Sequence, residues 1–184
     1  MVVVLIMATA SSYAFDVIEF GPKETRISGM IKYSVIGKYK ASFDAFKGKI
    51  SVDELSHDVR SVYLEIQVSS IDSNCRWCDG IVRSRQLLYT EKYPQIIFKS
   101  NEIIKEGADY RVRGTLQMHG VTKSMTFPFK VNIVEERHKK FLDLNGTWVI
   151  NRKDFGVIWS ALFDRGGILV GDNITVDWGI RRCM

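Results

Sequence analysis

Apolar and polar residues alternate one by one along most of this chain. In "DVRSVYLEIQVSSID", Val62, Leu64, Ile66 and Val68 fall on one face and Glu65, Gln67 and Ser69 on the other. The same period returns at Phe127, Phe129, Val131 and Ile133, at Leu142, Leu144, Trp148 and Ile150, and at Ile174, Val176, Trp178 and Ile180. Successive side chains of a strand point to opposite faces, so alternation of this length marks strands with one buried and one solvated side. Strands are predicted over 24–37, 38–52, 59–71, 95–105, 109–118, 123–135, 140–151 and 173–182, with a short one near 15–20. Short Gly, Asp and Asn turns join them, which implies antiparallel pairing. Pro94 opens one strand; Pro128 lies inside another and argues for an edge or a bulge there, because it cannot donate to a ladder. One helix is expected between Ser73 and Thr90, with Ser73 or Asn74 as its cap and Gly80 weakening it.

Eight or so long antiparallel strands with a single apolar face build either a sandwich or a closed barrel. Closure removes exposed edges, and an eight-stranded barrel is either filled by side chains or holds one small ligand. The period alone does not choose between them.

Composition narrows the class. Apolar residues at 46% and charged ones at 26% are ordinary globular values. The net charge is +5, but the basic residues are scattered among acids, as in "KETRISGMIK" and "EERHKK". Nucleic-acid binding calls for a concentrated basic footprint and is not expected. The charge does allow transient contact with an anionic membrane surface. The uncharged start "MVVVLIMATASSYA" carries an apolar run too short to span a bilayer, followed by Ser12 and Ala14 at signal-peptidase spacing. Residues 1–14 are therefore expected to be a cleaved signal and 15–184 a single domain in the periplasm or outside the cell, although no Lys or Arg precedes the apolar run.

Several stretches go further when taken together. "SSIDSNCRWCDGIVRSRQLLYTEKYPQIIFKS" resembles the longest signature of the YceI-like family through Ser70, Ile71, Asp72, Asp79, Ser84, Lys92, Tyr93, Pro94, Ile96, Phe98 and Ser100. Gly114, Leu116, Gly120, Val121 and Thr122 match its G-x-L-T-x-x-G-V-T segment, and Arg152, Asp154, Phe155 and Gly156 its R-x-D-F-G turn. Phe43, Phe46, Gly48 and Ile50 match its N-terminal G-x-F-x-x-F-x-G-x-I, and "VGDNITVDWGI" resembles its last strand. The resemblance implies an exported, eight-stranded, lipocalin-like antiparallel barrel with a short helix or loop over an opening. It implies an isoprenoid lipid, a polyprenyl chain or an isoprenoid quinone, in a central apolar tunnel, and it allows a homodimer. Tunnel residues are then expected from the alternating faces: Val62, Leu64, Ile66, Phe127, Phe129, Val131, Leu144, Trp148, Val176 and Trp178, together with Phe43 and Phe98. Cys78 and Ile81 replace the Arg and His of the family's R-D-x-H-L, while Leu87 and Leu88 replace an aromatic pair. If this segment packs over the tunnel mouth, Leu87 and Leu88 close a greasier entrance than the family pattern supplies.

Cys75-Arg76-Trp77-Cys78 has three readings. A catalytic dithiol needs a low-pKa thiolate, usually at a helix N-terminus of a β-α unit. A structural zinc site needs four ligands, and Cys183, His57, His119 and His138 offer none at ligand spacing. A short-loop disulfide between Cys75 and Cys78, stiffening the crossing segment, is the reading favoured, with Cys183 left to pair elsewhere or to link two chains. His119, in Met118-His119-Gly120, reads as a turn residue, and Glu135 and Glu136 read as a solvated hairpin tip. No catalytic residue, metal or cofactor is expected. The whole describes a non-catalytic lipid carrier; its rivals are a thiol redox protein using Cys75 and Cys78 and a solid-core barrel that binds a protein.

Overall fold

The computed structural model describes residues 15–33, 37–107, 109–158 and 170–183, so the expected signal at 1–14 lies outside the described residues. Within them the alternating segments are strands: β1 (Phe15–Phe20), β2 (Thr25–Tyr33), β3 (Gly37–Phe43), β4 (Phe46–Asp53), β5 (Val59–Gln67), β6 (Ile71–Asp72), β7 (Gln95–Glu106), β8 (Asp109–Met118), β9 (Val121–Glu136), β10 (Lys139–Asn151) and β11 (Val170–Cys183). A single helix among the described residues, α1 (Arg76–Arg83), interrupts them. All pairings are antiparallel, in the order β1-β4-β5-β7-β8-β9-β10-β11-β2-β3-β6. The all-β class and antiparallel pairing agree with the sequence, and the higher strand count comes from two breaks in predicted strands.

Those breaks curl the sheet. The predicted strand 38–52 turns at Asp44 and Ala45, and 59–71 turns at Val68–Ser70, a short 3-10 turn. The two corners hold one another: Asp44 N donates to Ser70 O (3.1 Å), Gln67 N to Ala45 O (2.9 Å) and Ser70 Oγ to Gln67 O (2.7 Å). Consequently β5 pairs with β4 while its continuation β6 pairs with β3, through Ser42↔Asp72 and Phe43↔Ile71. The two ends of the strand order are thus linked through the β3–β4 and β5–β6 corners, which bring the sheet round on itself at that end. No ladder joins β1 to β3 among the described residues.

Pro128 is not at an edge. It sits in β9, flanked by β8 and β10, opposite Arg111. The ladder to β10 stops at Lys130↔Asn145, so no backbone donor is missed at Pro128, and Trp148 Nε1 donates to Pro128 O instead (3.0 Å). Trp148 also anchors the aromatic core. It stacks on Phe127 at 4.3 Å and 9° and packs tilted against Phe98 (5.5 Å) and edge-on to Trp178 (5.4 Å). Where β7 bulges between Ser100 and Glu102, Gly114 lets β8 approach: a Cβ there would lie 2.4 Å from Lys99 O and 2.8 Å from Phe98 Cζ.

The α1 segment joins β6 to β7 at the barrel end that also carries the β8–β9 turn, where the Tyr93 ring packs 4.4 Å from His119 and His119 Nδ1 meets Phe155 O at 3.1 Å. The cap of α1 is not Ser73 or Asn74 but Cys75, whose Sγ accepts from Cys78 N (3.3 Å). Asp79, only 3% exposed, ties the helix down: it accepts from Ser73 Oγ (2.6 Å), Tyr39 Oη (2.8 Å) and Ser73 N (3.3 Å). Burial opposes its charge, but these hydrogen bonds and the nearby Arg83 outweigh that and hold the carboxyl below its ordinary value. Desolvation and the facing carboxylate push Tyr39 up to about 12 although the Ser73 hydrogen bond opposes them. Arg83 donates to Ile71 O, a second tie between helix and sheet.

Two outcomes follow. Gly114→Ala forces backbone apart at the β7 bulge and is expected to lower stability by about 2 kcal/mol or more, read from urea unfolding. Asp79→Ala leaves three donors unanswered and is expected to destabilise by about 2 kcal/mol. Because the Asp79 pKa is depressed in the folded state, its contribution is full above the unfolded value and is lost as pH falls through the folded one. The gap between parent and Asp79→Ala should therefore narrow in acid; a gap independent of pH would refute the tether.

Candidate functional site

The inward faces do not meet at the barrel axis. Between them lies a cavity of about 710 Å³, within the range of pockets that enclose whole small ligands. Its wall is almost entirely carbon. Ile27, Gly29 and Ile31 come from β2, Tyr39, Ala41 and Phe43 from β3, and Ile50 from β4. Val112 and Leu116 of β8 and Ile174 of β11 complete much of the circumference.

Twelve of the fourteen residues expected around a tunnel border this cavity: Phe43, Val62, Leu64, Ile66, Leu87, Leu88, Phe98, Phe129, Leu144, Trp148, Val176 and Trp178. Phe127 and Val131 do not. Phe127 is covered by the Trp148 indole stacked on it, which puts it behind the wall. Val131 pairs with Leu144 toward the β9–β10 hairpin and packs against the core there, beyond the cavity. Of the β2 and β3 faces the sequence reading includes Phe43 alone, although Ile27, Gly29 and Ile31, then Tyr39, Ala41 and Phe43, alternate as regularly as the others.

The α1 segment supplies the rest. Cys75, Trp77, Cys78, Ile81 and Val82 border the cavity, as do Leu87 and Leu88 beyond the helix. Cys78, Ile81, Leu87 and Leu88, the four departures from the family signature, thus all face the same space. Cys75 and Cys78 stand at disulfide distance, Sγ–Sγ 2.03 Å with Cα–Cα 5.2 Å. The cavity reaches the surface beside Trp77, Lys38 and Lys40, three exposed residues that also border it.

Most polar chemistry in the wall is already engaged, although Thr25 Oγ1 and Trp178 Nε1 are buried without a hydrogen-bond partner. Arg152, 5% exposed, borders the cavity, but its Nε donates to Gly171 O (2.9 Å), its Nη1 to Val157 O (2.7 Å), and its Nη2 to Val170 O (3.2 Å) and Asp172 Oδ1 (3.3 Å). The guanidinium therefore fastens β10 to β11 rather than facing a ligand. Asp154, Phe155 and Gly156 complete a 3-10 turn closed by Gly156 at φ 70°, with Phe155 wholly buried. Among the described residues no three His, Cys, Asp or Glu side chains stand close enough to hold a metal, and no helix is long and apolar enough to cross a membrane. The arrangement can enclose an apolar molecule.

Known proteins share both the sequence pattern and the shape. Residues 19–181 match the YceI-like domain. A UPF0312 protein of Pectobacterium carotovorum is 33% identical over 127 residues, covering 67% of this chain and 63% of that protein. Protein YceI of Escherichia coli is 36% identical over 90 residues, 49% of this chain and 47% of its own length. The matches thus span less than two thirds of those curated relatives. Among solved structures, Burkholderia cenocepacia BcnA superposes with a TM-score of 0.72 at 21% identity, over 86% of this chain and 96% of that one. A polyisoprenoid binding domain from Saccharophagus degradans superposes with a TM-score of 0.66 at 14% identity, over 92% and 98%. At those identities the two structures speak for the fold alone. With the domain matched across nearly the whole described barrel, the chain belongs to the YceI-like family.

Proposed function

We propose that this barrel is an exported, non-catalytic carrier that holds a long isoprenoid lipid, a polyprenyl chain or an isoprenoid quinone, in its central cavity. The carrying observation is the cavity itself: about 710 Å³ walled by aliphatic and aromatic side chains, with its one buried cation committed to backbone carbonyls. Such a wall offers an apolar chain burial worth about 0.8 kcal/mol per CH₂, and the unpartnered polar atoms it offers are Thr25 Oγ1 and Trp178 Nε1. Each isoprene unit added inside therefore raises affinity without any specific hydrogen bond. The space also weighs against a solid-core interaction module, whose interior would be filled by its own side chains. The polyisoprenoid binding attributed to the Saccharophagus degradans domain is in keeping with this chemistry. Export is in keeping with the uncharged apolar start and the Ser12 and Ala14 spacing of the sequence.

Mass spectrometry of organic extracts from the protein purified out of its native exported fraction tests the proposal: one prenyl lipid per chain is expected, and a clean extract would sink it. Gly29 gives a second test. It borders the cavity with ordinary backbone angles, and the nearest atom to an added Cβ is Ile174 Cγ2 at 3.6 Å. Gly29→Leu should project a side chain into the space, leave the far-UV circular dichroism unchanged and reduce co-purifying long-chain lipid about tenfold or more. Undiminished lipid in a folded Gly29→Leu protein would place the ligand elsewhere.

A further inference from the structure

A lipid that dissolves in this cavity does not cross water unaided, so on the carrier reading the chain must meet a bilayer to load or unload. We infer that the barrel docks on an anionic phospholipid surface through α1, with Trp77 entering the interface and basic residues around the cavity opening contacting the headgroup phosphates.

Trp77 is 73% exposed although it borders an apolar cavity, whereas Trp148 is 93% buried in the core. A large ring left in water at a tunnel opening is out of keeping with a purely structural role; indole favours the boundary between headgroups and acyl chains. Trp77 and Ile81, four residues apart on one helix face, share a shallow surface depression with Arg76 and Arg85. Strand β3, tied to α1 by Tyr39, contributes exposed Lys38 and Lys40, both bordering the cavity. The acid within α1, Asp79, is turned inward to Ser73 and Tyr39 and subtracts nothing from the outer face. Exposed Glu91 is the nearest acid along the following turn, and exposed Lys92 adjoins it. The rim is therefore cationic around an apolar projection, the combination that anionic interfaces attract at about 1 kcal/mol per basic residue. In this arrangement the opening faces the membrane, and the lipid passes between bilayer and cavity without crossing bulk water.

Co-sedimentation with phosphatidylglycerol and phosphatidylcholine vesicles tests this. Binding is expected to phosphatidylglycerol, to weaken at high salt, and to fall about tenfold or more in both Trp77→Ser and Arg76→Glu/Arg85→Glu. Brominated phosphatidylglycerol should quench fluorescence in the parent protein and not in Trp77→Phe. Lys139→Glu/Lys140→Glu, at the β9–β10 hairpin on the opposite end of the barrel, should bind as the parent does. Equal losses in both charge-reversed pairs, or no vesicle binding, overturn the docking face. Organic extracts of the same preparations separate the two ideas. Bound lipid without vesicle binding removes the docking face and leaves the carrier, while Trp77-dependent vesicle binding with a clean extract upholds the face and removes the carrier.

Discussion

The run from Val59 to Asp72 bonds first to β4 and then, past one short turn, to β3, and the rest of the barrel depends on that change of partner. A sheet has two margins, and each exposes unpaired donors and acceptors. Here β1 and β6 are the margins, and the strands just inside them, β4 and β3, are joined by covalent continuity, with Asp44, Ala45, Gln67 and Ser70 locking the corner through backbone and hydroxyl hydrogen bonds. Once that corner is set, the remaining strands follow as antiparallel neighbours joined mostly by short turns, and their alternating faces are directed toward a common interior. The curvature comes from backbone hydrogen bonding, so the wall stands without side chains meeting across the axis. That is why a hollow core is compatible with an ordered sheet.

The opening is governed by different forces. The α1 segment covers part of an apolar space, so apolar contact alone would draw it inward as a loose plug. Its position is set instead by a buried carboxylate. Removing Asp79 from water is costly, and only the convergence of Ser73 and Tyr39 makes the charge tolerable, which admits a narrow set of helix positions. Because Ser73 and Asp79 belong to the α1 segment and Tyr39 to β3, the tether spans the opening. Its direction leaves Trp77 largely exposed at the cavity's edge, with Cys78 and Ile81 bordering the same space more deeply. Polar anchoring of an apolar lid lets the lid's greasy surfaces remain available to something else.

Strands were legible because period two survives in β5, β8, β9, β10 and β11, where one side packs and the other meets water. The corners were legible in principle through a signal that the reading passed over. Ile27, Gly29, Ile31, Tyr39, Ala41 and Phe43 are odd-numbered, whereas Phe46, Ile50 and Val52 are even-numbered, and a straight strand cannot change parity, so a break was encoded between Phe43 and Phe46. A similar shift separates Phe98 from Ile103 at the β7 bulge. The exclusion of Phe127 from the cavity was not readable. Phe127, Phe129 and Val131 share one face, and only the placement of Trp148 from another strand decides that the first is covered and the second bare. Pro128 misled for a related reason: its missing donor matters only if a partner stands opposite, and the β9–β10 ladder has already ended there. The cap of α1 escaped because cysteine is rarely weighed as a capping acceptor.

Hollowness also bears on what the native state contains. Atoms lining a void lack partners on one side and forgo dispersion energy that a packed core would supply. In a filled barrel that deficit would be removed by larger side chains, and this chain holds such residues in reserve on its outside, with Ile133, Val149 and Ile158 exposed while Gly29 and Ala41 face the cavity. Small residues inside and spare aliphatic ones outside are the reverse of what stability alone selects. A ligand that binds only the folded state restores the missing contacts and adds stability that grows with the logarithm of its concentration over Kd. On the carrier proposal, an apolar guest would supply the part of the packed interior that the barrel's own side chains leave open.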